Sequence, residues 1–200
     1  EDPGDDPLPR RILGALMVFD FDDFRDDYDS SLAFALLCDL HDARPDFRCT
    51  LFAIPSGGNW DFWQAMSKID WIELVPHGWD HPDPHECDYW SRERMLRVMD
   101  EPVVQAHFVR GFKAPGWQIS DGCYEALLER GWWVADQPYN NGRRPAELRV
   151  HLLGSPGHWH GHIGNVCGNG IRETWTQVHL LVSEAESFEF MSECVDLVRV

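Results

Sequence analysis

The chain of 200 residues is poor in basic side chains and lacks closely spaced cysteine pairs and long apolar runs. Its 17 Lys and Arg residues face 34 Asp and Glu residues, and the formal net charge of -17 argues against nucleic acid as a partner. The six cysteines form no C-x-x-C motif and predict no disulfide framework. No stretch approaches the roughly 18 apolar residues of a membrane span, and no signal segment is visible. These absences favour a cytoplasmic protein without a membrane span, and they leave the oligomeric state open.

Apolar and aromatic side chains are plentiful enough to fill a large core. Hydrophobic residues make up 44% of the chain and include ten Trp and eleven Phe. This length and composition predict a single domain over residues 1–200, in which residues 1–10 form a flexible acidic lead.

Short apolar runs alternate with segments of helical spacing along the chain. Strands are predicted at 11–21, 48–56, 71–75, 107–115, 132–136 and 148–154, and helices at 30–44, 59–69, 87–101, 120–131 and 188–198. This alternation predicts a parallel sheet, in either an α/β barrel or a doubly wound arrangement. In both architectures, functional groups collect at the carboxyl ends of the strands.

The first predicted strand ends in the acidic segment "FDFDDF", which supplies Asp20, Asp22 and Asp23. Side chains two residues apart share one face of a strand, whereas adjacent side chains point to opposite faces. Asp22 and Asp23 can therefore meet at one site only if the strand ends there and the backbone turns. An acidic surface loop is the alternative interpretation.

The third predicted strand is followed by "HGWDH", in which His77 and His81 are four residues apart. These two side chains can bind one metal ion if residues 78–80 form a single turn. Imidazole together with carboxylate favours Zn, Co, Ni, Mn or Fe over Mg or Ca. Pro82 disfavours a helix through His81, which argues against a helical metalloprotease motif. Chance spacing among ten histidines is the alternative.

Two later segments carry further polar and aromatic groups. The segment "RGFKAPGWQIS" at 110–120 brings a Lys and a Trp to the end of a strand, or else is an ordinary turn with Trp117 in the core. Residues 151–170 include His158, His160 and His162, although their glycines also suit a surface loop.

In their order and approximate spacing, these segments resemble the motifs of the polysaccharide deacetylase family, the NodB-homology or carbohydrate esterase family 4 enzymes. "FDFDDF" resembles the family's Thr-Phe-Asp-Asp-Gly motif, "HGWDH" its His-x-x-x-His motif, and "GFKAPGW" its Arg-x-Pro-Tyr/Trp motif. The resemblance covers roughly residues 12–165 and indicates a short, divergent branch. It implies a distorted (β/α)7-type barrel.

The resemblance also implies an activity, namely metal-dependent hydrolysis of a C–N bond that removes acetyl from an N-acetylated sugar. Asp23, His77 and His81 would bind one divalent metal ion, with zinc favoured and Co, Ni, Mn or Fe as alternatives. Asp22, which precedes the ligand Asp, would be the general base.

Several positions depart from the family pattern. The His-rich segment replaces the Leu-x-His motif that supplies the acid, so the resemblance implies a histidine acid there, and we favour His162 over His160. Lys113 stands where the family has an Arg that orients the catalytic Asp; because Lys has no bidentate fork, Arg110 is an alternative. Phe24 replaces a Gly and could place its ring in the site.

Further residues are expected to support the site. Pro115 and Trp117 belong to the third motif, and Trp79, Trp117 and Trp159 are candidates to stack on a sugar ring. Glu86 is either a partner of a ligand histidine or an exposed residue at a helix start, and the second interpretation is favoured.

Two other functions compete with the deacetylase. A non-catalytic carbohydrate- or metal-binding protein could keep the fold but would not need a base at Asp22. The changes in the third motif and the loose match of "WWVADQP" to the fourth favour it. An unrelated phosphoesterase is disfavoured because the acidic chain repels phosphate.

Overall fold

The computed structural model describes residues 16–140, 142–152, 154, 156–164 and 171–197, without the side chains of 171–174 and 196–197. The predicted lead at 1–10 and Cys167 lie outside these residues, and the single domain over 1–200 stays a prediction. No helix among the described residues is long and apolar enough to cross a membrane. The described cysteines are free thiols, at positions 38, 49, 87, 123 and 194.

Strands and helices alternate along most of the described chain, as the sequence predicts. The strands are β1 (Leu16–Phe24), β2 (Cys49–Ala53), β3 (Ile72–Pro76), β4 (Gly111–Lys113), β5 (Trp133–Asp136), β6 (Val150–Leu152), β7 (His158–His162) and β8 (Ser187–Glu189). The α-helices are α1 (Tyr28–Ala43), α2 (Trp60–Met66), α3 (Arg92–Met99), α4 (Pro102–His107), α5 (Asp121–Arg130) and α6 (Ile171–Glu184).

Side-chain caps explain where most of these helices begin. Asp27, Asn59, Ser91 and Ser120 each accept a hydrogen bond from the backbone N–H three residues later, at the starts of α1, α2, α3 and α5. Helix α5 ends at Gly131, whose φ of 64° is the left-handed conformation that glycine adopts without a steric penalty.

The strands form one curled parallel sheet built from two groups of paired strands. The first group of paired strands has the order β3-β2-β1-β7, with β8 also beside β1, and the second group has the order β4-β5-β6. A parallel bridge between His77 and Lys113 joins them. Because the paired strands are parallel, their carboxyl ends meet at one edge of the sheet.

The two faces of the curled sheet pack against different partners. Phe19 and Phe21 of β1 point outward into the larger core, which includes the apolar faces of the helices. Val18, which precedes Phe19 and points to the inside of the curl, packs in a smaller cluster. The other members of that inner cluster are Phe52, Val75, Trp133, Ala135, Met191, Cys194 and Val195. Even-numbered residues of β1 therefore line the inside of the curl, and Asp20 and Asp22 belong to this set.

Some predicted boundaries are wrong. Residues 87–90 form a turn rather than the start of a helix, and α3 begins only after its Ser91 cap. The strand predicted at 107–115 shrinks to β4, because Pro102 at the first helical turn starts the separate helix α4. The predicted C-terminal helix at 188–198 is instead strand β8 followed by a 3₁₀ segment, Met191–Leu197.

Candidate active site

The polar residues singled out by the sequence lie where four strands end. Asp22 and Asp23 are at the end of β1, His77 directly follows β3, Lys113 ends β4, and the histidines of the fourth segment are on β7. Segment 158–162 is thus a strand paired in parallel with β1, and not a surface loop. The common edge of a parallel sheet brings together residues that are far apart in sequence.

A β-bulge brings both aspartates of β1 to the same site. The ladder with β2 pairs Asp22 with Phe52 and then skips to Phe24 with Ala53, which leaves Asp23 as the extra residue. Asp23 has a φ of 71°, a left-handed conformation that Asp tolerates better than most residues. This is the backbone turn that the sequence required for two adjacent carboxylates to converge.

The ring of Phe24 does not enter the site, contrary to the expectation from the sequence. Phe24 is buried in the core, where its ring stacks on that of Phe62 at 5.9 Å between centroids. The bulge at Asp23 sends the next side chain back to the outer face of β1, so an apolar residue suits this position.

His77 and His81 meet across a tight loop, with 5.1 Å between their ring centroids. The loop needs left-handed backbone at Gly78, with a φ of 64°, and at His81, with a φ of 48°. A Cβ at residue 78 would also collide with the carboxylate of Glu86. Glycine is therefore required at this position on two grounds.

Glu86 holds this loop through its backbone. Its carboxylate accepts N–H hydrogen bonds from Trp79, Asp80 and His81, at 3.1 Å each. Neither prediction for Glu86 describes this role, because it contacts the backbone between the two histidines and lies in a turn well before α3. His85, which follows the same loop, is exposed and pairs with Asp88.

Asp23, His77 and His81 form a group that could hold a metal ion. Asp23 Oδ1 lies 3.2 Å from His81 Nε2 and 3.6 Å from His77 Nε2. This oxygen is buried without a hydrogen-bond partner, an arrangement that a bound cation would relieve. His77 Nδ1 lies 3.0 Å from the carbonyl oxygen of Lys113, which can only accept, so Nδ1 donates and Nε2 is left as the lone-pair nitrogen. Burial, together with the Lys113 ammonium, lowers the pKa of His77 well below its usual value, which keeps the ring neutral.

Lys113 is completely buried, and its ammonium group contacts Asp22. Lys113 Nζ lies 2.6 Å from Asp22 Oδ1 and 3.1 Å from Asp20 Oδ1. The rings of Phe52 and Trp117 flank it, with centroids 4.5 and 4.0 Å from Nζ. Arg110, the alternative holder of Asp22, is exposed and precedes β4, at the opposite end of that strand from Lys113.

The other oxygen of Asp22 faces three imidazoles. Asp22 Oδ2 lies 3.8 Å from His77 Nε2 and 3.9 Å from both His160 Nε2 and His162 Nε2. Asp22, His160 and His162 form a second group that could hold a metal ion. The positive charge of Lys113 beside Asp22 opposes a second divalent cation there.

Asp20 is a buried carboxylate that our sequence analysis did not assign to the site. Its oxygens contact Nε2 of His158 and Nδ1 of His160, the latter at 2.7 Å. The sequence does indicate that Asp20 and Asp22 share one face of β1, because they are two residues apart. It does not indicate that β7 lies next to β1, and this pairing is what brings the histidines to Asp20.

The remaining predicted support residues have different surroundings. Trp117, with a φ of 62°, lies 5.4 Å from the ring of His160 and forms a wall of the site. Trp79 is half-buried and packs on the outer core, as does Trp159, which lies 5.3 Å from the ring of Phe21. Pro115 is buried next to Gly78, where a Cβ would approach its ring to 2.9 Å.

Comparisons with known proteins identify the fold. No family model matches the chain, and no curated protein matches its sequence. Among solved structures, it is similar to the crystal structure of the Xyl-CE4 domain of a multidomain xylanase from the hindgut metagenome of Trinervitermes trinervoides. The TM-score is 0.58 at 15% sequence identity, and the match covers 92% of this chain and 91% of that chain. The chain therefore has the fold of a carbohydrate esterase family 4 domain, with a curled parallel sheet that forms a half-barrel, as the resemblance of its motifs predicted.

Proposed function

We propose that the protein is a metal-dependent carbohydrate deacetylase that hydrolyses an acetyl amide or ester on a sugar. One observation carries the proposal: the bulge at the end of β1 separates two adjacent carboxylates into two environments. Asp23 is beside two imidazole nitrogens, and Asp22 is beside an ammonium group with one oxygen facing the site. Such a division suits one carboxylate for metal binding and the other for proton transfer.

Asp23, His77 and His81 would hold the divalent metal ion. Two imidazoles and one carboxylate are a usual ligand set for a catalytic site that keeps an open position, and zinc is the favoured ion. When bound, the metal would polarise the acetyl carbonyl and activate a water molecule. We expect one ion per chain, because the Lys113 ammonium lies next to the second group of candidate ligands.

Asp22 would act as the general base. Its Oδ1 is held by Lys113 at 2.6 Å, which fixes the carboxylate and leaves Oδ2 towards the histidines and the site. In the reaction, the attacking water gives a proton to Asp22 while its oxygen bonds to the acetyl carbon. The bond from that carbon to the sugar nitrogen or oxygen then breaks and releases acetate.

His160 would act as the general acid, in place of His162. Its Nδ1 is held by Asp20, so Nε2 faces Asp22 and the site, where it can take up the proton that Asp22 receives from the water and give it to the leaving nitrogen or oxygen. The side chain of His162 is 47% exposed, and it lies at the rim of the site. This proposal replaces the preference for His162 that the sequence alone suggested.

The fold match supports a carbohydrate substrate, since the similar domain is a carbohydrate esterase family 4 domain of a xylanase. The test combines metal analysis with acetate release from N-acetylglucosamine, its oligomers and an O-acetylated sugar. We expect one equivalent of metal and acetate from at least one substrate. Bound metal without acetate release from any substrate would contradict the deacetylase and favour a binding protein with this fold.

A further inference from the structure

Asp20 lies on the inner face of β1, two residues before the proposed base. It is completely buried and contacts three groups that can donate hydrogen bonds: Lys113 Nζ at 3.1 Å, His160 Nδ1 at 2.7 Å, and His158 Nε2. A carboxylate with this many donors is a fixed acceptor, and its neighbours must orient around it.

The charge of Asp20 determines which nitrogens carry protons. Burial alone would raise the pKa of Asp20, but the Lys113 ammonium and the hydrogen bonds from His158 and His160 outweigh it and hold the pKa well below its usual value. An ionised carboxylate can only accept. His160 therefore carries a proton on Nδ1, the nitrogen that faces Asp20.

The strand pairing makes this contact rigid. Asp20 and His160 are direct partners across the parallel ladder of β1 and β7, as are Asp22 and His162. Neither residue of the first pair lies on a loop, so the orientation of the His160 ring depends on Asp20 and on the groups around it. Those groups are Lys113 from β4, Asp22 from β1, His158 and His162 from β7, and the ring of Trp117.

The other buried aspartate near the site, Asp136, is hydrogen-bonded to other groups and not to His160. Asp136, at the end of β5, accepts hydrogen bonds from Tyr124 Oη and Asn140 Nδ2, both at 2.7 Å, and from the backbone N–H of Gln137. Arg144 also lies 3.2 Å from it. Its two oxygens are thus occupied by neighbours in sequence and space, which leaves the orientation of His160 to Asp20.

From these contacts we infer that Asp20 is the positioning residue for His160. It fixes a proton on Nδ1 and directs the Nε2 lone pair to the site, where Nε2 would take up the proton that Asp22 receives from the water and then give it to the leaving group. The role in proton donation rests on the proposed deacetylase function. The tautomer does not, because it follows from the 2.7 Å contact between Asp20 and His160 Nδ1, which is shorter than the 3.3 Å contact of the Lys113 ammonium with the same nitrogen.

The tautomer can be measured directly. Nitrogen-15 NMR of the imidazole rings distinguishes Nδ1–H from Nε2–H, and the His160 signals are assigned by their absence in His160→Gln. We expect Nδ1–H for neutral His160 in the wild-type protein and a mixture or the reverse form in Asp20→Asn, because an amide offers one oxygen to three donors. An Nε2–H ring in the wild-type protein, or an unchanged tautomer in Asp20→Asn, would overturn the inference.

Glu73→Gln is the matched control. Glu73 is a buried carboxylate in the same row across the sheet, since Thr50 is the register partner of both Asp20 and Glu73. It bonds Thr50 and Ser192 and has no contact with His160 among the described residues. We expect the control to leave the His160 tautomer unchanged; a change there would mean that any buried carboxylate of the barrel affects the ring.

A leaving-group comparison tests the proton donation. If His160 protonates the leaving group, Asp20→Asn should lower kcat on an acetylated amino sugar by about 10²-fold or more. It should lower kcat on 4-nitrophenyl acetate much less, because that leaving group needs no proton. Equal losses on both substrates at equal metal content would overturn the positioning role. Failure of every form to release acetate would refute the deacetylase while the tautomer result stands. If Asp20→Asn does not fold, the wild-type tautomer still decides the inference.

Discussion

The two halves of the candidate site are held in place by different physical means. In the proposed metal-binding half, Asp23 and His81 have left-handed backbone, and the Glu86 carboxylate fixes the loop through backbone N–H groups. In the proposed acid–base half, Asp22 and His160 lie on regular strands and are oriented by buried charges. The first half depends on local backbone conformation, whereas the second depends on side chains brought together by the sheet. Substitutions should therefore separate metal binding from proton transfer.

The largest effect is expected from His77→Ala. This change removes a buried ligand whose Nε2 faces Asp23, and with it both water activation and carbonyl polarisation. We expect the bound metal to be lost and acetate release to fall by about 10³- to 10⁴-fold. Metal analysis and an acetate assay on the same preparation check both results. His85→Ala, an exposed histidine of the same loop, is the control that should keep metal and activity. Full metal content in His77→Ala would refute the ligand set.

Asp22→Asn should affect the other half alone. The amide cannot take a proton from water, so we expect kcat to fall by about 10²- to 10³-fold while one equivalent of metal stays bound. Metal analysis and kcat together measure this separation. Undiminished acetate release would refute the assignment of Asp22 as the base, and loss of metal would mean that the two halves share their ligands.

The two halves also differ in how far sequence predicts them. His77 and His81 lie in one short motif, so their spacing suffices to propose a shared metal. For Asp22 and Asp23, the sequence predicts that the backbone must turn if both side chains are to reach one site, but it does not predict the β-bulge that makes this turn. The carboxylate partner of His160 could not be predicted, because it depends on β7 lying next to β1, and Asp20 and His160 are 140 residues apart in sequence.

Helix boundaries differ in the same way: those set by neighbouring residues can be predicted from the sequence, whereas those set by tertiary contacts cannot. Ser120 and Gly131 bound α5 by local chemistry, and the helix predicted at 120–131 agrees with these ends. The 3₁₀ segment at the C-terminus was predicted as an α-helix from its apolar spacing. There the backbone N–H of Met191 and Ser192 bonds Thr50 and Glu73 inside the barrel, and these tertiary contacts replace helical hydrogen bonds.

Glu86→Gln should weaken the metal-binding half without removing a ligand. An amide NH₂ repels the N–H groups of the loop that the carboxylate now binds, so the backbone of His81 is held less firmly. We expect metal affinity to fall by about 10- to 100-fold, as measured by competition with a chelator. Glu93→Gln, an exposed carboxylate at the start of α3, is the matched control and should leave affinity unchanged. Unchanged affinity in Glu86→Gln would mean that the loop keeps its shape without this carboxylate.

The smallest effect at neutral pH is expected at His151, a buried histidine next to the acid–base half. Its ring centroid lies 4.9 Å from that of His158, and both of its nitrogens are buried without hydrogen-bond partners. Burial, together with the nearby His158, lowers its pKa to about 4. Well above pH 6.5 the ring is neutral in both folded and unfolded chains and contributes nothing to the pH dependence.

Below pH 6.5, His151 becomes protonated in the unfolded chain but stays neutral in the folded chain. The free energy of unfolding should therefore fall between about pH 6.5 and pH 4, by an amount on the order of 3 kcal/mol from this residue. In His151→Gln, which cannot be protonated, denaturant unfolding at a series of pH values should show a shallower decline across this window. The metal content at pH 7 should be unchanged, because His151 belongs to neither group of candidate ligands. An equally steep decline in the variant would mean that His151 is protonated as readily in the folded chain as in the unfolded chain, and that below pH 6.5 the acid–base half has a charged neighbour rather than a neutral one.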